Sequence, residues 1–142
     1  SPVKTDSIQR LVSNNPNNRL LAFDGVLHGG GFKFGDGKRT QYFVGNWTKK
    51  EQYISWPLKQ MGSSKYKILI KYLTAANSGG SYRVKIGDFD QTFKVDEVNS
   101  RKLHELGTVT LNQGVHELTV KALNITGEEL MKLYEVVLEP FE

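Results

Sequence analysis

Lys65-Tyr66-Lys67-Ile68-Leu69-Ile70-Lys71-Tyr72 decides the fold class of this chain. Tyr66, Ile68, Ile70 and Tyr72 fall on one side of an extended segment, and Lys65, Lys67, Leu69 and Lys71 on the other. Successive side chains of a strand point to opposite faces, so this spelling describes a strand with one buried and one wet face. Residues 81–86 repeat it, with Tyr82, Val84 and Ile86 opposite Arg83 and Lys85. So do residues 115–122, with Leu118, Val120 and Ala122 opposite Glu117, Thr119 and Lys121. Further strands are predicted at 20–23, 31–34, 41–44, 52–58, 91–95, 104–111 and 130–138.

Hairpin-forming residues lie between these segments: Asn77-Ser78-Gly79-Gly80, Gly87-Asp88, Asn112-Gln113-Gly114 and Thr126-Gly127. No long helical period separates the strands, which disfavours parallel crossovers. Many short strands joined by turns predict an all-β, antiparallel sandwich of the jelly-roll kind. Residues 20–142 are assigned to this one module. Residues 1–19 read as a linker or a short helix, capped by Asp6 and carrying Ile8, Leu11 and Val12, ahead of the loop-forming Asn14-Asn15-Pro16-Asn17-Asn18.

The bulk properties agree. A chain of 142 residues with 38% hydrophobic and 24% charged residues can bury one core. The start at Ser1 rather than Met reads as a mature or excised segment, and no apolar run is long enough for a membrane span. With no cysteine, disulfides, thiol nucleophiles and cysteine-based zinc sites are excluded. Lys and Arg total 19 against 15 Asp and Glu, a net charge of +4 that is too small and dispersed to indicate nucleic acid.

Catalytic signals are sparse. His28, His104 and His116 lack metal-ligand spacing, and no nucleophile elbow or phosphate loop occurs. No helix pattern follows Gly29-Gly30-Gly31, so these glycines are read as a bulge or a close backbone approach. Asp24, Asp36, Asp88, Asp90, Glu128 and Glu129 read as solvated turn acids, with none marked as a catalytic pair. Asn46-Trp47-Thr48 and Asn124-Ile125-Thr126 match the N-glycosylation pattern and receive no role.

The aromatics carry more. Sugar rings present apolar C–H faces that stack on aromatic side chains. Trp47 stands in the polar setting Gly45-Asn46-Trp47-Thr48-Lys49-Lys50-Glu51, which leaves two readings open: a lid folded over the end of the sandwich, or a ligand contact. Trp56 alternates with Ile54 and Leu58 and is assigned to the core, with Tyr53 on the opposite face. A second candidate surface is a basic stripe of Lys67, Lys71, Arg83, Lys85 and Lys121, provided that their strands are neighbours.

The stretch from Gly45 through Trp47, Tyr53 and Trp56 to Tyr72 resembles the middle of a carbohydrate-binding module. Gly80-Ser81-Tyr82-Arg83-Val84, Gly114-Val115-His116-Glu117-Leu118 and Leu130-Met131-Lys132-Leu133 extend the likeness toward the C-terminus. The order is similar to the galactose-binding-like jelly rolls appended to glycoside hydrolases such as α-L-fucosidases and to sulfatases. It is more distantly similar to carbohydrate-binding module families six and thirty-five.

The resemblance implies a non-catalytic module of a larger secreted or periplasmic carbohydrate-active enzyme, with a glycan and the parent catalytic domain as partners and neither nucleic acid nor membrane. It places Trp47 as stacking platform, Asn46 and Lys132 as hydrogen-bond donors, and Tyr53 near the same end. The families' structural calcium would fall to Asp24 and Glu135, which do not match the pattern, so no cofactor is expected. The alternatives are a structural module that packs on its parent enzyme without binding sugar, and a small hydrolase.

Overall fold

The structure, a computed structural model, describes residues 8–13, 18–38, 41–96 and 101–141. Twelve strands form among them: β1 (Gln9–Arg10), β2 (Asn18–Leu21), β3 (Val26–His28), β4 (Lys33–Phe34), β5 (Val44–Gly45), β6 (Tyr53–Gln60), β7 (Ser64–Leu73), β8 (Gly80–Ile86), β9 (Phe89–Lys94), β10 (Leu103–Leu111), β11 (Gly114–Ile125) and β12 (Lys132–Phe141). One sheet runs β1-β6-β11-β8-β9 with β3 also on β6; the other runs β10-β7-β12-β5-β4 with β2 also on β12. Every pairing is antiparallel except the short one of β1 with β6. The architecture is the predicted β-sandwich jelly roll.

The alternation read from the sequence is the alternation that packs. Tyr66, Ile68, Ile70 and Tyr72 of β7 are buried, as are Tyr82, Val84 and Ile86 of β8 and Leu118, Val120 and Ala122 of β11. Trp56 lies in the core as expected and donates its indole N–H to the Leu21 carbonyl at 2.8 Å. Burial of such large side chains between two sheets is the main favourable term of the fold, about 1.5–3 kcal/mol for each aliphatic or aromatic chain removed from water.

The central strands change partners along one edge. β6 pairs with β3 over residues 53–55 and with β1 over residues 58–59, and Pro57, which carries no amide N–H, falls in the interval. β12 likewise meets β5 at Leu133 and β2 at residues 135–138.

Three expectations are corrected. The N-terminal helix is absent among the described residues: Gln9 and Arg10 form a strand, and Leu11 is buried in the core. Docking onto the free edge of β6 satisfies backbone groups and covers Leu11, which a helix with three apolar residues would do less well. The sandwich therefore begins before residue 20; Asp6 and residues 14–17 lie outside the described residues. The strand predicted at 20–23 ends at Leu21 and gives way to a 3-10 turn, Ala22–Asp24. The basic stripe does not form. Lys67 and Lys71 belong to β7 of one sheet, whereas Arg83, Lys85 and Lys121 belong to β8 and β11 of the other.

A cleft at the end of the sandwich

The edge hairpin of β4 and β5 forms one wall of a cleft. Lys33 pairs with Gly45 and Phe34 with Val44, and Val44 in turn pairs with Leu133 of β12. Two backbone bonds continue the hairpin beyond these pairs: Gly35 donates its N–H to the Phe43 carbonyl at 2.9 Å, and Gly37 to the Gln41 carbonyl at 3.0 Å. Only glycine fits at position 35, because a Cβ there would lie 2.1 Å from the Gln41 carbonyl oxygen.

The opposite wall is the segment leading into β12. Between the walls lies a volume of about 310 Å³, lined by Lys33, Phe34, Phe43, Gly45, Asn46, Glu128, Glu129 and Lys132. This is within the range of small-ligand sites. Its polar groups are already organised. Buried Glu129 accepts the Asn46 backbone N–H at 2.9 Å on one carboxylate oxygen, and its other oxygen is ion-paired with Lys132. The Lys132 ammonium also stands 5.7 Å from the centre of the Phe43 ring. Asn46 adopts a left-handed φ of 58°, and its side-chain amide donates to the Gly31 carbonyl at 2.6 Å.

Phe34 is the outlying member of this set. It is 56% exposed, and the ring of Phe23 meets it edge-on at 5.2 Å. Beyond it, Phe23, Gly35, Asp36 and Gly37 border a second, shallower depression.

Two of the four predicted site residues, Asn46 and Lys132, thus meet in one cleft. Trp47 does not reach it. Its side chain is 0% exposed, its indole N–H is donated to the Gln52 carbonyl at 2.9 Å, and Phe32 packs edge-on at 5.3 Å. With both faces covered, the ring offers no stacking platform, and the lid reading of this tryptophan is the one that the structure shows.

The reason lies in Gln52, fully buried beneath the 46–52 loop. Its side-chain oxygen accepts the N–H groups of Thr48 at 2.6 Å and Lys49 at 2.8 Å, and its side-chain nitrogen donates to the carbonyls of Gly30 at 2.9 Å and Asn46 at 3.1 Å. The polar loop is therefore folded inward around one amide, carrying Trp47 with it. The glycines at 29–31 face the same loop: all three have left-handed φ values, 94°, 69° and 86°, and a Cβ on Gly29 would also lie 2.7 Å from the Glu51 carbonyl oxygen.

Tyr53 lies elsewhere, on the outer face of the first sheet. His28 stacks on its ring at 4.0 Å and Lys121 lies 5.6 Å from its centre, so this ring too is occupied. Arg83, adjacent to Lys121 in the register, is held by Asp90 through two bonds of 2.7 and 2.6 Å. Hydrogen bonding from that guanidinium keeps the Asp90 carboxyl below the usual carboxylate range.

Of the two acids on which the resemblance would place a calcium, Glu135 is already engaged. Glu135 directs both carboxylate oxygens at the Arg19 guanidinium, at 2.5 and 3.1 Å, and Tyr42 approaches one of them at 3.4 Å. Among the described residues, no group of three or more acidic or histidine side chains is placed to hold a metal ion.

The residues that sequence reading missed are Phe34, Phe43, Lys33 and the structural role of Glu129. A signal was present in Gly31-Phe32-Lys33-Phe34-Gly35-Asp36-Gly37. Two aromatics in strand alternation run directly into turn residues, the spelling of a short edge strand whose last ring overhangs the sheet.

No protein-family model matches the chain, and no curated protein matches it in sequence. Solved structures do. The chain is similar to a family 35 carbohydrate binding module from Clostridium thermocellum, with a TM-score of 0.63 and 17% identity over 87% of this chain and 98% of that one. It is similar to the GH26-CBM35 β-(1,4)-mannanase of Podospora anserina, with a TM-score of 0.70 and 14% identity over 89% of this chain and 28% of that one. It is also similar to the mosquito-larvicidal Cry4Aa toxin of Bacillus thuringiensis, with a TM-score of 0.72 and 10% identity over 95% of this chain and 25% of that one. The chain spans about a quarter of the mannanase and of the toxin, and nearly the whole of the isolated module. At these identities the likeness establishes the fold alone, one shared by the family 35 carbohydrate-binding module and by parts of the mannanase and the toxin.

Proposed function

We propose that this chain is a non-catalytic sugar-binding module, secreted or periplasmic, that accompanies a larger carbohydrate-active enzyme and binds its ligand in the cleft beside β4 and β5. The observation that carries the reading is Phe34: a large aromatic, 56% exposed, at the rim of a cleft lined by Phe43 and by the polar side chains of Lys33, Asn46, Glu128, Glu129 and Lys132. An apolar ring flanked by fixed polar partners is what recognition of a sugar requires, one face for C–H stacking and an edge for hydroxyls. Asn46 and Lys132 keep the donor roles assigned from the sequence, and Phe34 replaces Trp47 as the platform.

The non-catalytic assignment rests on the same groups. Glu128 and Glu129 both border the cleft, but Glu129 is committed to the Asn46 amide and the Lys132 ammonium, leaving no second carboxylate there to act as acid or base. Affinities in the millimolar to micromolar range are expected, about 4 to 8 kcal/mol of binding free energy.

The test is titration calorimetry of the wild-type domain and Phe34→Ala against a broad panel of neutral and acidic oligosaccharides. Saturable binding that the substitution abolishes supports the reading, and a silent panel overturns it. A second reading, a module that packs on its parent domain without sugar, is supported by Met61 and Val115, apolar side chains 52% and 66% exposed at the far end of β6 and the start of β11. A silent panel combined with capture of the separately expressed parent domain, lost in Val115→Asp, would favour it.

A further inference from the structure

Phe34 borders two depressions. On one side lies the polar cleft of about 310 Å³; on the other lies the shallower one of about 390 Å³, bordered by Phe23, Gly35, Asp36 and Gly37. Phe34 is the residue common to both borders, so the two depressions adjoin at this exposed ring and together outline a groove.

We infer that the groove takes an internal segment of a linear oligosaccharide, with one sugar stacked on Phe34 and its neighbours extending into the depressions on either side. The inference rests on the sugar-binding reading above and deepens it by specifying the form of the ligand.

Three observations argue for a chain rather than a single terminal sugar. First, the exposed ring stands between the two depressions instead of closing one of them, so a sugar seated on it is left open toward both. Second, the chemistry alternates along the groove. Lys33, Glu128 and Lys132 lie on one side of the ring, and Asp36 with the backbone of a glycine turn on the other. A polymer whose units each present an apolar face and a hydroxyl edge matches that alternation. An acyl chain or an apolar peptide would leave the charged side chains against hydrocarbon, which is costly. Third, Phe23 meets Phe34 edge-on at an interplanar angle of 65°, so the second depression has an aromatic wall of its own.

The experiment is calorimetry of the wild-type domain with β-1,4-linked manno-, gluco- and xylo-oligosaccharides of one to six units, beside Phe34→Ala, Asp36→Ala and Phe23→Ala. Circular dichroism checks that each variant folds. For the series that binds, affinity is expected to rise by at least about tenfold from the single sugar to the tetramer and then level off. Asp36→Ala, which removes no core contact and one exposed turn bond from the Lys38 N–H at 2.9 Å, is expected to lower affinity for the tetramer severalfold and leave the disaccharide unchanged; Phe23→Ala repeats the test from the wall. Binding of the single sugar as tightly as of the tetramer overturns the inference while leaving the sugar-binding reading intact. Equal losses for short and long ligands in both second-depression variants overturn it as well. Silence of all three series with the wild type, while another member of the broader panel binds, overturns the inference alone; silence of the whole panel overturns the reading beneath it, and the inference with it.

Discussion

The 46–52 loop and the β4–β5 hairpin are neighbours with opposite fates. The loop is rich in Lys, Glu, Asn and Thr, yet its tryptophan is fully buried and its backbone is drawn onto one buried glutamine. The stretch through β4 has the hydrophobic alternation of a core strand, yet Phe34 at its end stands in solvent. Local polarity thus fails to report exposure in both places, and for one reason. A loop that crosses between sheets can bury a large ring if its amides find internal partners, whereas an edge strand two residues long has no neighbour to cover its outermost side chain.

The contrast is sharpest in what each ring does when removed. Trp47→Ala is expected to leave a cavity at the sandwich end and an unpaired Gln52 carbonyl, costing about 3–5 kcal/mol in urea unfolding. A loss near zero would mean that the loop does not hold its ring in the core. Gln52→Ala comes next, at about 2–3 kcal/mol, since Thr48 and Lys49 lose the acceptor of their amides while the loop stays inward. Gly35→Ala drives a Cβ into the Gln41 carbonyl; about 1–3 kcal/mol is expected, together with loss of ligand binding as the hairpin moves. Phe34→Ala is expected to change stability by less than about 0.5 kcal/mol while abolishing binding, the reverse of Trp47→Ala.

The smallest effect belongs to the outer face of the first sheet, where the Arg83–Asp90 pair lies open to solvent, its side chains 40% and 42% exposed. Its folded carboxyl titrates below the unfolded one. Its contribution is therefore present above about pH 4, the ordinary aspartate value, and is lost as pH falls through the lower folded value. Carboxyl-carbon NMR should find the Asp90 midpoint depressed and restored in Arg83→Ala, with the thermal midpoint at neutral pH scarcely moved. A large thermal shift would make this face structural rather than solvated.

Much of the fold could be read in advance because burial on one face of a strand imposes period two on the chain itself. β6, β7, β8, β10, β11 and β12 were all placed to within a few residues, since each is long enough to show that period. β1 and β3 were not. A strand of two or three residues carries no period, and its pairing depends on the free edge of β6 that it happens to meet. The site divides in the same way. Asn46 and Lys132 flank recognisable strands, and the structure brings both to one cleft. Tyr53 was placed on the correct face, but its ring is taken by His28 and Lys121, which come from strands distant in sequence.

What the sequence by itself determined is the class of fold and the content of the core: alternation selects strands, glycine and asparagine select turns, and the absence of cysteine removes a body of chemistry. What only the tertiary structure decided is which aromatic faces solvent. That choice is made by contacts between segments far apart in the chain, by Gln52 gathering the 46–52 loop under the glycines at 29–31 and by β4 ending at an edge. Exposure is a property of what covers a side chain, and the covering residues are neighbours in space rather than along the chain.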